Sequence, residues 1–362
     1  MIDSSVFHRL RGIGLAPALV QHWALQAPSP SDNDATLMRV TEVQREGLTL
    51  HDGLVQHAAR LLPALRSRLA DEADAIAVGD WVHAAHNAFG EWWVHQRLPP
   101  LNQLARRLHD GRDKVARVVI VSNVDTALLV MGLDHDFNLR RLERYVALVR
   151  MAGVAGVVVL TKTDLSTQAH TQRQAVQAML PPDVPVVAVN ALGDEPRQQL
   201  APWLQAAQTL VVLGSSGAGK STLTNALLGV AVQDTGATRN GDSRGRHTTT
   251  TRTLHTTADG ACIIDTPGLR TLRLDGDAGE LGAAFDDIAK LSLLCRFRDC
   301  QHEAEPGCAV RDAISAERLR NYRKLLREAR RDTLTALERK GQLQQWKARS
   351  RSVRERLQTK RG

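Results

Sequence analysis

Alternating and continuous apolar segments divide the chain into a β-rich first part and an α/β second part. In the first part, apolar and polar positions alternate over 37–53, with a break at Gly47, and again over 75–82, which leads into 92–94. This alternation predicts two β-hairpin pieces, and short strands joined by glycine turns favour a small barrel. The segment 54–72 fits a helix and a strand equally well, so we assign it to neither.

From about residue 113 onwards, longer apolar runs alternate with amphipathic segments, which is the pattern of an α/β domain. Buried strands are expected at 116–121, 156–160, 184–190, 209–213 and 261–264. Helices are expected at 138–150, 196–208 and 222–228.

A glycine-rich stretch lies between the strand expected at 209–213 and the helix expected at 222–228. Its G-x-x-x-x-G-K-S spacing is that of a phosphate-binding loop, and a plain Gly/Ser turn is the alternative. Its glycines let backbone N–H groups converge on phosphates, Lys220 would reach the β- and γ-phosphates, and Ser221 would ligate Mg²⁺. The expected phosphate-binding residues are Gly214, Ser215, Ser216, Gly217, Ala218, Gly219, Lys220, Ser221 and Thr222.

Three other expected strands end in polar residues, and open α/β sheets bind ligands at such strand ends. The strand at 261–264 is followed by Asp265, which with the phosphate-binding loop completes a Mg-nucleotide site. The polar segment 234–252 is a candidate switch segment that a bound nucleotide would order. The residues at the other two strand ends are Thr161, Lys162, Thr163 and Asp164, and Asn190 and Ala191.

The 362 residues carry a formal net charge of +8, which indicates two or three domains and a polyanionic partner. From residue 318 to 362 there are 16 Lys/Arg and 4 Asp/Glu, so the positive excess lies in the tail. A helix that docks by its apolar side and presents arginines to RNA fits this tail better than a merely solvated charge run. The sequence shows neither a membrane-spanning run nor a signal pattern, so we expect a cytoplasmic protein with no membrane partner.

Three of the four cysteines cluster with a histidine in the spacing C-x4-C-x-H-x5-C, formed by Cys295, Cys300, His302 and Cys308. Three thiolates and one imidazole suit a closed, tetrahedral structural Zn²⁺ site, and free thiols in a small core are the alternative. Cys262 lies within an apolar strand and is expected to be a core residue.

Two strand ends are similar to motifs of GTPases. The segment 161–164 resembles their guanine-specificity motif, usually Asn-Lys-x-Asp, and 265–268 resembles their Mg/γ-phosphate motif. In ordinary GTPases the phosphate-binding loop precedes the guanine motif, whereas here it follows. This permuted order, with a β-rich part before it and the cysteine cluster after it, resembles the bacterial ribosome small-subunit-dependent GTPase A family. Further segments that carry the resemblance are 78–82, 98–100, 122–125, 136–145 and 245–250.

The resemblance implies a multidomain chain. It consists of an N-terminal OB-fold β-barrel at 1–112, a central circularly permuted α/β P-loop GTPase domain at 113–276, and a C-terminal zinc-binding, α-rich domain with a basic helical tail at 277–362. The implied activity is hydrolysis of GTP to GDP and phosphate, stimulated by the small (30S) ribosomal subunit, during late maturation of that subunit. The implied cofactors are one structural Zn²⁺ and Mg²⁺ with GTP, and the implied partners of a monomer are the small subunit and its rRNA.

The resemblance also assigns roles to single residues. Asp164 would pair with the guanine N1–H and 2-amino groups, which adenine does not supply. The Lys162 stem would pack along the base, and the Asn190 and Ala191 backbone would hold the 6-oxo group. Asp265 would anchor Mg²⁺ through water, Gly268 would sense the γ-phosphate, and Thr248 or Thr249 would close over Mg²⁺.

Two departures from ordinary GTPases bear on catalysis and affinity. Leu269 stands where Ras-like enzymes have a water-orienting glutamine, so we expect His247 to position the water, with a phosphate or RNA contact as the alternative. Thr161 replaces the usual Asn, and we expect its shorter side chain to lose one hydrogen bond that ties the base to the loop, at about 1 kcal/mol.

Alternatives to this interpretation remain. The chain could be an RNA-binding assembly factor that uses GTP as a passive switch with negligible turnover, or an ATPase of similar topology, against which Asp164 argues. In the first part, Trp81, Trp92 and Trp93 could form a base-stacking surface or could fill the barrel core.

Overall fold

In the computed structural model, the described residues are 3–26, 35–109, 115–229, 252–266 and 278–333. The chain forms two compact units, one of 1–106 with 117–272 and one of 107–116 with 273–362. The domain boundaries predicted at 112 and 276 stay a prediction. None of the helices in the described ranges combines the length and apolar character needed to cross a membrane.

The first unit begins with two short helices and a five-stranded barrel. The elements are α1 (Ser4–Arg11), α2 (Pro17–Gln26), β1 (Thr36–Val43), β2 (Leu48–His51), β3 (Gln56–Leu61), α3 (Pro63–Asp71), β4 (Trp81–His86) and β5 (Trp92–Arg97). The strands run in the order β1-β2-β3-β5-β4, and β4 pairs back onto β1, which closes the barrel. The predicted N-terminal OB-fold barrel is therefore confirmed.

The barrel interior is filled by inward-facing apolar residues of all five strands. Met38, Leu50, Ala59, Val82 and Val94 are buried there, and two leucines of the helix α3 belong to the same buried cluster. The segment 54–72, which the sequence left unassigned, contains both β3 and α3. Its second half is helical because proline fits the first helical turn and the buried Leu65 and Leu69, four positions apart, share one face.

The tryptophans of the barrel differ in burial. Trp81 is fully buried and packs edge-on against Trp23 with ring centroids 6.1 Å apart. The base-stacking role that we considered for Trp81 is therefore wrong, because its ring has no accessible face. Trp92 and Trp93 are half-buried, and Trp92 packs against the barrel core.

After the barrel come a two-stranded ladder and a six-stranded sheet. The ladder pairs β6 (Gln103–His109) with β7 (Val115–Ser122). The strand predicted at 116–121 therefore exists, but it pairs with β6 and not with the α/β sheet. The elements that follow the ladder, all in the first unit, are β8 (Thr126–Gly132), α4 (Leu139–Met151), β9 (Ala155–Thr161), α5 (Ala169–Met179), β10 (Val186–Ala188), α6 (Glu195–Gln199), β11 (Thr209–Gly214), α7 (Lys220–Leu228), β12 (Thr253–Thr256) and β13 (Cys262–Asp265).

The six-stranded sheet has the order β10-β9-β8-β11-β13-β12, with β12 antiparallel and the others parallel. Its central strands β8 and β11 are buried along their whole length, as expected of strands covered on both faces. Cys262 is buried in β13, as predicted for a core residue. The parallel arrangement brings the carboxyl ends of β8, β9, β10, β11 and β13 to one edge of the sheet.

Two predicted elements of this sheet are shorter than expected. The strand predicted at 184–190 contains only β10 (Val186–Ala188). The helix predicted at 196–208 ends with α6 at Gln199 and is followed by a 3₁₀ turn, Ala201–Trp203. Pro202 explains the break, because proline has no N–H to donate and its ring clashes with the preceding turn of an α-helix.

A buried arginine joins the barrel to the sheet within the first unit. Arg39 of β1 donates hydrogen bonds to the Ile13 and Asn123 carbonyls and, at 2.9 Å, to the Thr209 hydroxyl at the start of β11. Its guanidinium lies 5.3 Å from the centroid of the Trp81 ring. β1 also pairs with β12 at its far end, so the strands form one continuous eleven-stranded system.

The second unit is α-rich in its described residues, as predicted. Its helices are α8 (Ala278–Ala284), α9 (Asp286–Ser292), α10 (Ala309–Ala313) and α11 (Ala316–Thr333). The Phe285 and Tyr322 rings lie 5.1 Å apart, and Arg318 of α11 forms an ion pair with Asp287 of α9. These contacts hold α11 against α9, so the apolar side of the predicted tail helix does dock. Residues after Thr333 lie outside the described ranges.

Candidate functional site

The phosphate-binding loop lies where the sequence places it, between β11 and α7. Gly217 and Gly219 have φ values of 83° and 90°, which side chains rarely tolerate. A Cβ at Gly214 would lie 2.5 Å from the Val130 carbonyl of the neighbouring strand β8. Ser216 is exposed, while Ser215, Ser221 and Thr222 are half-buried. The glycines therefore permit the turn that aims the first N–H groups of α7 at the loop.

Lys220 at the start of α7 folds back over this loop. Its ammonium donates a 2.6 Å hydrogen bond to the Ser215 carbonyl, and the side chain is almost fully buried. Burial lowers the pKa of Lys220, and the carboxylates of Asp265 and Asp136 oppose that shift. The Lys220 ammonium thus lies inside the loop in which it is expected to contact the phosphate groups.

The end of β9 is hydrogen-bonded to the loop. The Thr161 hydroxyl donates to the Ala218 carbonyl at 2.6 Å, and the Lys162 ammonium donates to the Gly217 carbonyl at 2.6 Å. The shorter Thr161 side chain thus still ties this motif to the loop through one hydrogen bond, and the loss of affinity expected from the replacement of Asn stays a prediction. Gly219 allows the close approach, because a Cβ there would lie only 3.1 Å from the Thr161 hydroxyl.

Asp164 and the residues after β10 lie at the same edge of the sheet. β10 pairs with β9 through Ala188 and Leu160, and the Val189 N–H donates to the Leu160 carbonyl at 2.8 Å. Asp164 is exposed in a 3₁₀ turn, Thr163–Leu165, directly after Lys162.

The turn that contains Asn190 and Ala191 is held by two hydrogen bonds. The Asn190 N–H donates to the Glu195 carboxylate, and the Asn190 side-chain oxygen accepts from the Leu192 N–H, both at 3.0 Å. Ala191 is buried. The two segments predicted to recognise guanine are thus on neighbouring strands.

Asp265 ends β13 beside the loop, because Asp265 pairs with Val212 of β11. Burial raises the pKa of its carboxyl group, and Lys220 opposes the shift. Its Oδ1 is buried and accepts no hydrogen bond from the described residues. A buried carboxylate oxygen without a partner suits a site for a hydrated Mg²⁺, so the residues present fit this ion.

Two aspartates after β8 belong to the site, although we assigned them no role from the sequence. Asp136 is buried and accepts hydrogen bonds from the Ser215 hydroxyl, from Arg141 and from the Gly132 N–H. Asp134 accepts from Lys162 at 2.7 Å; burial raises its pKa, but this hydrogen bond contributes to a net lowering. Their position just after a central strand of the sheet was the available signal.

Four residues that we predicted to act in nucleotide binding or hydrolysis lie outside the described ranges. They are His247, Thr248, Thr249 and Gly268. Leu269, which stands where a water-orienting glutamine is usual, also lies outside these ranges.

The second unit contains the cysteine cluster. Cys295, Cys300, His302 and Cys308 each offer one ligand atom, and these four atoms lie within 4.8 Å of one another. The Cys295 and Cys308 sulfurs are 4.0 Å apart, and His302 Nδ1 lies 3.6 Å and 3.4 Å from them. A tetrahedral zinc with Zn–S bonds of about 2.3 Å keeps its sulfurs about 3.8 Å apart. The cluster therefore fits a tetrahedral metal ion.

A phosphate-binding loop whose base-recognition strands precede it in sequence, yet lie beside it in the sheet, defines a circularly permuted P-loop GTPase. Comparison with known proteins agrees with this class. The family model described as "RsgA GTPase" matches residues 98–275. The chain belongs to the RsgA GTPase family, whose members hydrolyse GTP.

Two relatives and one solved structure show the extent of the similarity. The small ribosomal subunit biogenesis GTPase RsgA 2 of Vibrio vulnificus is 45% identical over 275 residues, which cover 75% of this chain and 77% of the relative. The small ribosomal subunit biogenesis GTPase RsgA of Xylella fastidiosa, strain Temecula1, is 43% identical over 333 residues, which cover 90% and 95%. YjeQ from Thermotoga maritima superposes with a TM-score of 0.60 at 23% identity, covering 82% of this chain and 98% of that one.

The Thr161 contact leads to a first prediction. Thr161→Val removes the hydroxyl but keeps the shape, and it leaves the Ala218 carbonyl of the loop without its donor. We expect the Kd for both GTP and GDP to rise by about 5- to 30-fold, which corresponds to about 1–2 kcal/mol. Titration with a fluorescent guanine nucleotide measures this change.

Two further variants control the Thr161 experiment. Thr161→Ser keeps the donor and should bind almost as well as the unmodified chain. Thr167→Val makes the same change at an exposed position six residues further on and should have no effect. Equal affinities for Thr161→Val and the unmodified chain would show that this hydrogen bond does not support nucleotide binding.

Proposed function

We propose that this protein binds GTP with Mg²⁺ at the sheet edge described above and hydrolyses it to GDP and phosphate while attached to the small (30S) ribosomal subunit. The observation that carries the nucleotide assignment is the bonding of Thr161 and Lys162 to the loop carbonyls. It fixes the segment that ends in Asp164 beside the loop.

Guanine recognition is assigned to the ends of β9 and β10. Asp164 accepts hydrogen bonds from the guanine N1–H and 2-amino groups. Adenine does not supply these donors, so it would leave the carboxylate unpaired. The aliphatic stem of Lys162 packs along the base, and the backbone at Asn190 and Ala191 holds the 6-oxo group. The exposure of Asp164 supports this role, because the carboxylate is accessible to a ligand.

The phosphates are assigned to the loop from Gly214 to Thr222. Its N–H groups and Lys220 bind the β- and γ-phosphates. We assign Mg²⁺ to Ser221, as a direct ligand, and to Asp265, through water; the Asp265 Oδ1, which has no hydrogen-bond partner among the described residues, supports this assignment. Bound Mg²⁺ supplies charge neutralisation of the phosphates. Thr248 or Thr249 and Gly268 are proposed to respond to the γ-phosphate.

His247 is proposed as the group that positions the attacking water. A side chain of this kind contributes by orienting or deprotonating the nucleophile in the transition state. Thr248 and Thr249 follow it directly in sequence, in the polar segment that we predict to order around nucleotide. We propose that attachment to RNA supplies the ordering, so that the free protein turns over slowly.

The partner assignment rests on charge and on the relatives. Both relatives named above are called small ribosomal subunit biogenesis GTPases. The net +12 between residues 318 and 362 suits contact with rRNA phosphates. We propose a cytoplasmic monomer that acts late in maturation of the small subunit.

Zinc is the proposed occupant of the cysteine cluster. Three thiolates and one imidazole leave no open coordination position, which is typical of structural zinc. The site lies in the second unit, apart in sequence from the nucleotide motifs, so it is proposed to stabilise that unit and to take no part in hydrolysis.

The second prediction concerns turnover. We expect slow single-turnover hydrolysis by the isolated protein and much faster hydrolysis with purified small ribosomal subunits, with the stimulation fading as salt rises. His247→Ala should still bind GTP and the subunit, but its stimulated rate of hydrolysis should be lower by about 10²- to 10⁴-fold. His170→Ala, an exposed histidine on α5, is the matched control.

Two outcomes would contradict this assignment. Full stimulated turnover in His247→Ala would mean that a group other than His247, on this chain or on the ribosome, activates the water. Negligible turnover with and without subunits would favour the alternative function, an RNA-binding assembly factor that uses GTP as a passive switch.

The third prediction concerns the metal. Protein purified without added metal should contain about one zinc per chain, and Cys300→Ser should lose the zinc and unfold the region around 295–308 while GTP binding persists. Cys262→Ala removes the cysteine outside the cluster and should keep the zinc. Absence of zinc from the unmodified protein, with no effect of chelators on its helix content, would show that the four residues are merely packed side chains.

A further inference from the structure

Two turns at one end of the barrel hold large apolar side chains out into solvent. Phe89 in the β4–β5 turn is 90% exposed, and Leu54 and Val55 in the β2–β3 turn are 70% and 54% exposed. We call the segments 52–55 and 87–91 the paired turns. None of the contacts described above for the nucleotide site or the metal cluster involves them.

The strand pairing places these turns side by side. β3 and β5 are parallel, with Ala59 opposite Trp92, and each of the paired turns leads directly into one of these strands. Both turns therefore lie at the end of the barrel where β3 and β5 begin. The Trp92 ring stacks on His86 at 3.7 Å and lies 5.3 Å from His57, which links β3, β4 and β5 beneath the turns.

The β4–β5 turn is held in one conformation by its own side chains. The Asn87 side-chain oxygen accepts from the N–H groups of Phe89 and Glu91, both at 2.9 Å. The Asn87 amide donates to the Glu91 carboxylate at 2.9 Å, and Gly90 takes a φ of 76° that closes the turn. Phe89 is therefore presented by a fixed turn.

The β2–β3 turn is fixed in the same way by Asp52. The Asp52 carboxylate accepts from the N–H groups of Leu54 and Val55 at 2.7 Å and 2.9 Å and contacts His57 at 3.1 Å. Burial raises the pKa of Asp52, but these hydrogen bonds lower it to about 2, so the carboxylate is charged. Ordered turns lose little conformational entropy when a partner binds, and an exposed apolar cluster favours such a partner.

The charges of the paired turns distinguish between kinds of partner. Their acidic side chains are Asp52 and Glu91, and they contain no lysine or arginine. Arg9 of α1 packs beneath Gly53 and is half-buried. Contacts with RNA depend on cations that neutralise phosphates, and the two carboxylates would repel phosphates. A protein surface with an apolar cleft and a basic rim complements this end of the barrel.

We propose that the paired turns dock onto a basic protein component of the small ribosomal subunit, with Phe89 inserted into an apolar cleft of that protein. This inference rests on the proposed attachment to the small subunit. It assigns the subunit's RNA to the basic tail and a protein contact to the barrel end.

The test places a photoreactive benzophenone amino acid at position 89 of the full-length chain and irradiates it with purified small ribosomal subunits and a non-hydrolysable GTP analogue. We expect an adduct that protease destroys and ribonuclease does not. The same amino acid at position 25 is the control, because Leu25 on α2 is 87% exposed but lies outside the paired turns.

Binding measurements accompany the cross-linking. Phe89→Ser should weaken binding to the subunits, measured by cosedimentation, by about tenfold, as expected for an inserted aromatic side chain. Its affinity for GTP should stay unchanged, and Leu25→Ser should bind the subunits as well as the unmodified chain does. An adduct with RNA, or unchanged binding of Phe89→Ser, would overturn this inference alone. Failure of the unmodified chain to cosediment would overturn the proposed function and this inference with it.

Discussion

The hydrogen bonds from the end of β9 to the phosphate-binding loop are the contact on which the nucleotide site depends. Thr161 and Lys162 donate to the carbonyls of Ala218 and Gly217, residues that follow them by more than fifty positions. Permutation changes the order in which the strands are synthesised, but parallel pairing returns them to the same neighbours. The site therefore survives because it is held by noncovalent bonds across the sheet and not by the order of its motifs.

The same strand that carries this loop also anchors the barrel. β11 starts at Thr209, whose hydroxyl accepts from the buried Arg39, and ends at Gly214 in the loop. Removing the Arg39 charge from water is costly, and its three acceptors offset that cost only if barrel and sheet keep their relative position. Within the first unit, the barrel is therefore fixed to the start of β11, the strand that ends in the phosphate-binding loop.

Much of this arrangement follows from local sequence. The continuous apolar runs predicted β9, β11 and β13, and the glycine spacing located the loop to the residue, but the central strand β8 was not among the expected strands. Tertiary contacts decide the remainder. Local sequence does not predict the pairing of β7 with β6 or the hydrogen bond from Ser215 to Asp136. The Thr161 contact likewise depends on a distant residue, because it requires Gly219, which has no Cβ, to lie beside it. Pro202 was visible in the sequence, and its helix-breaking effect should have shortened the predicted helix.

We propose that the end of β9 makes this permuted loop a guanine-specific site. Competition between GTP and xanthosine triphosphate tests it most directly in Asp164→Asn, because the asparagine amide can donate to the 2-oxo group of xanthine. We expect the preference for GTP over xanthosine triphosphate to fall by about 10²-fold or more relative to the unmodified protein. An unchanged preference in Asp164→Asn would contradict the assignment of Asp164 to guanine and, with it, this account of the site.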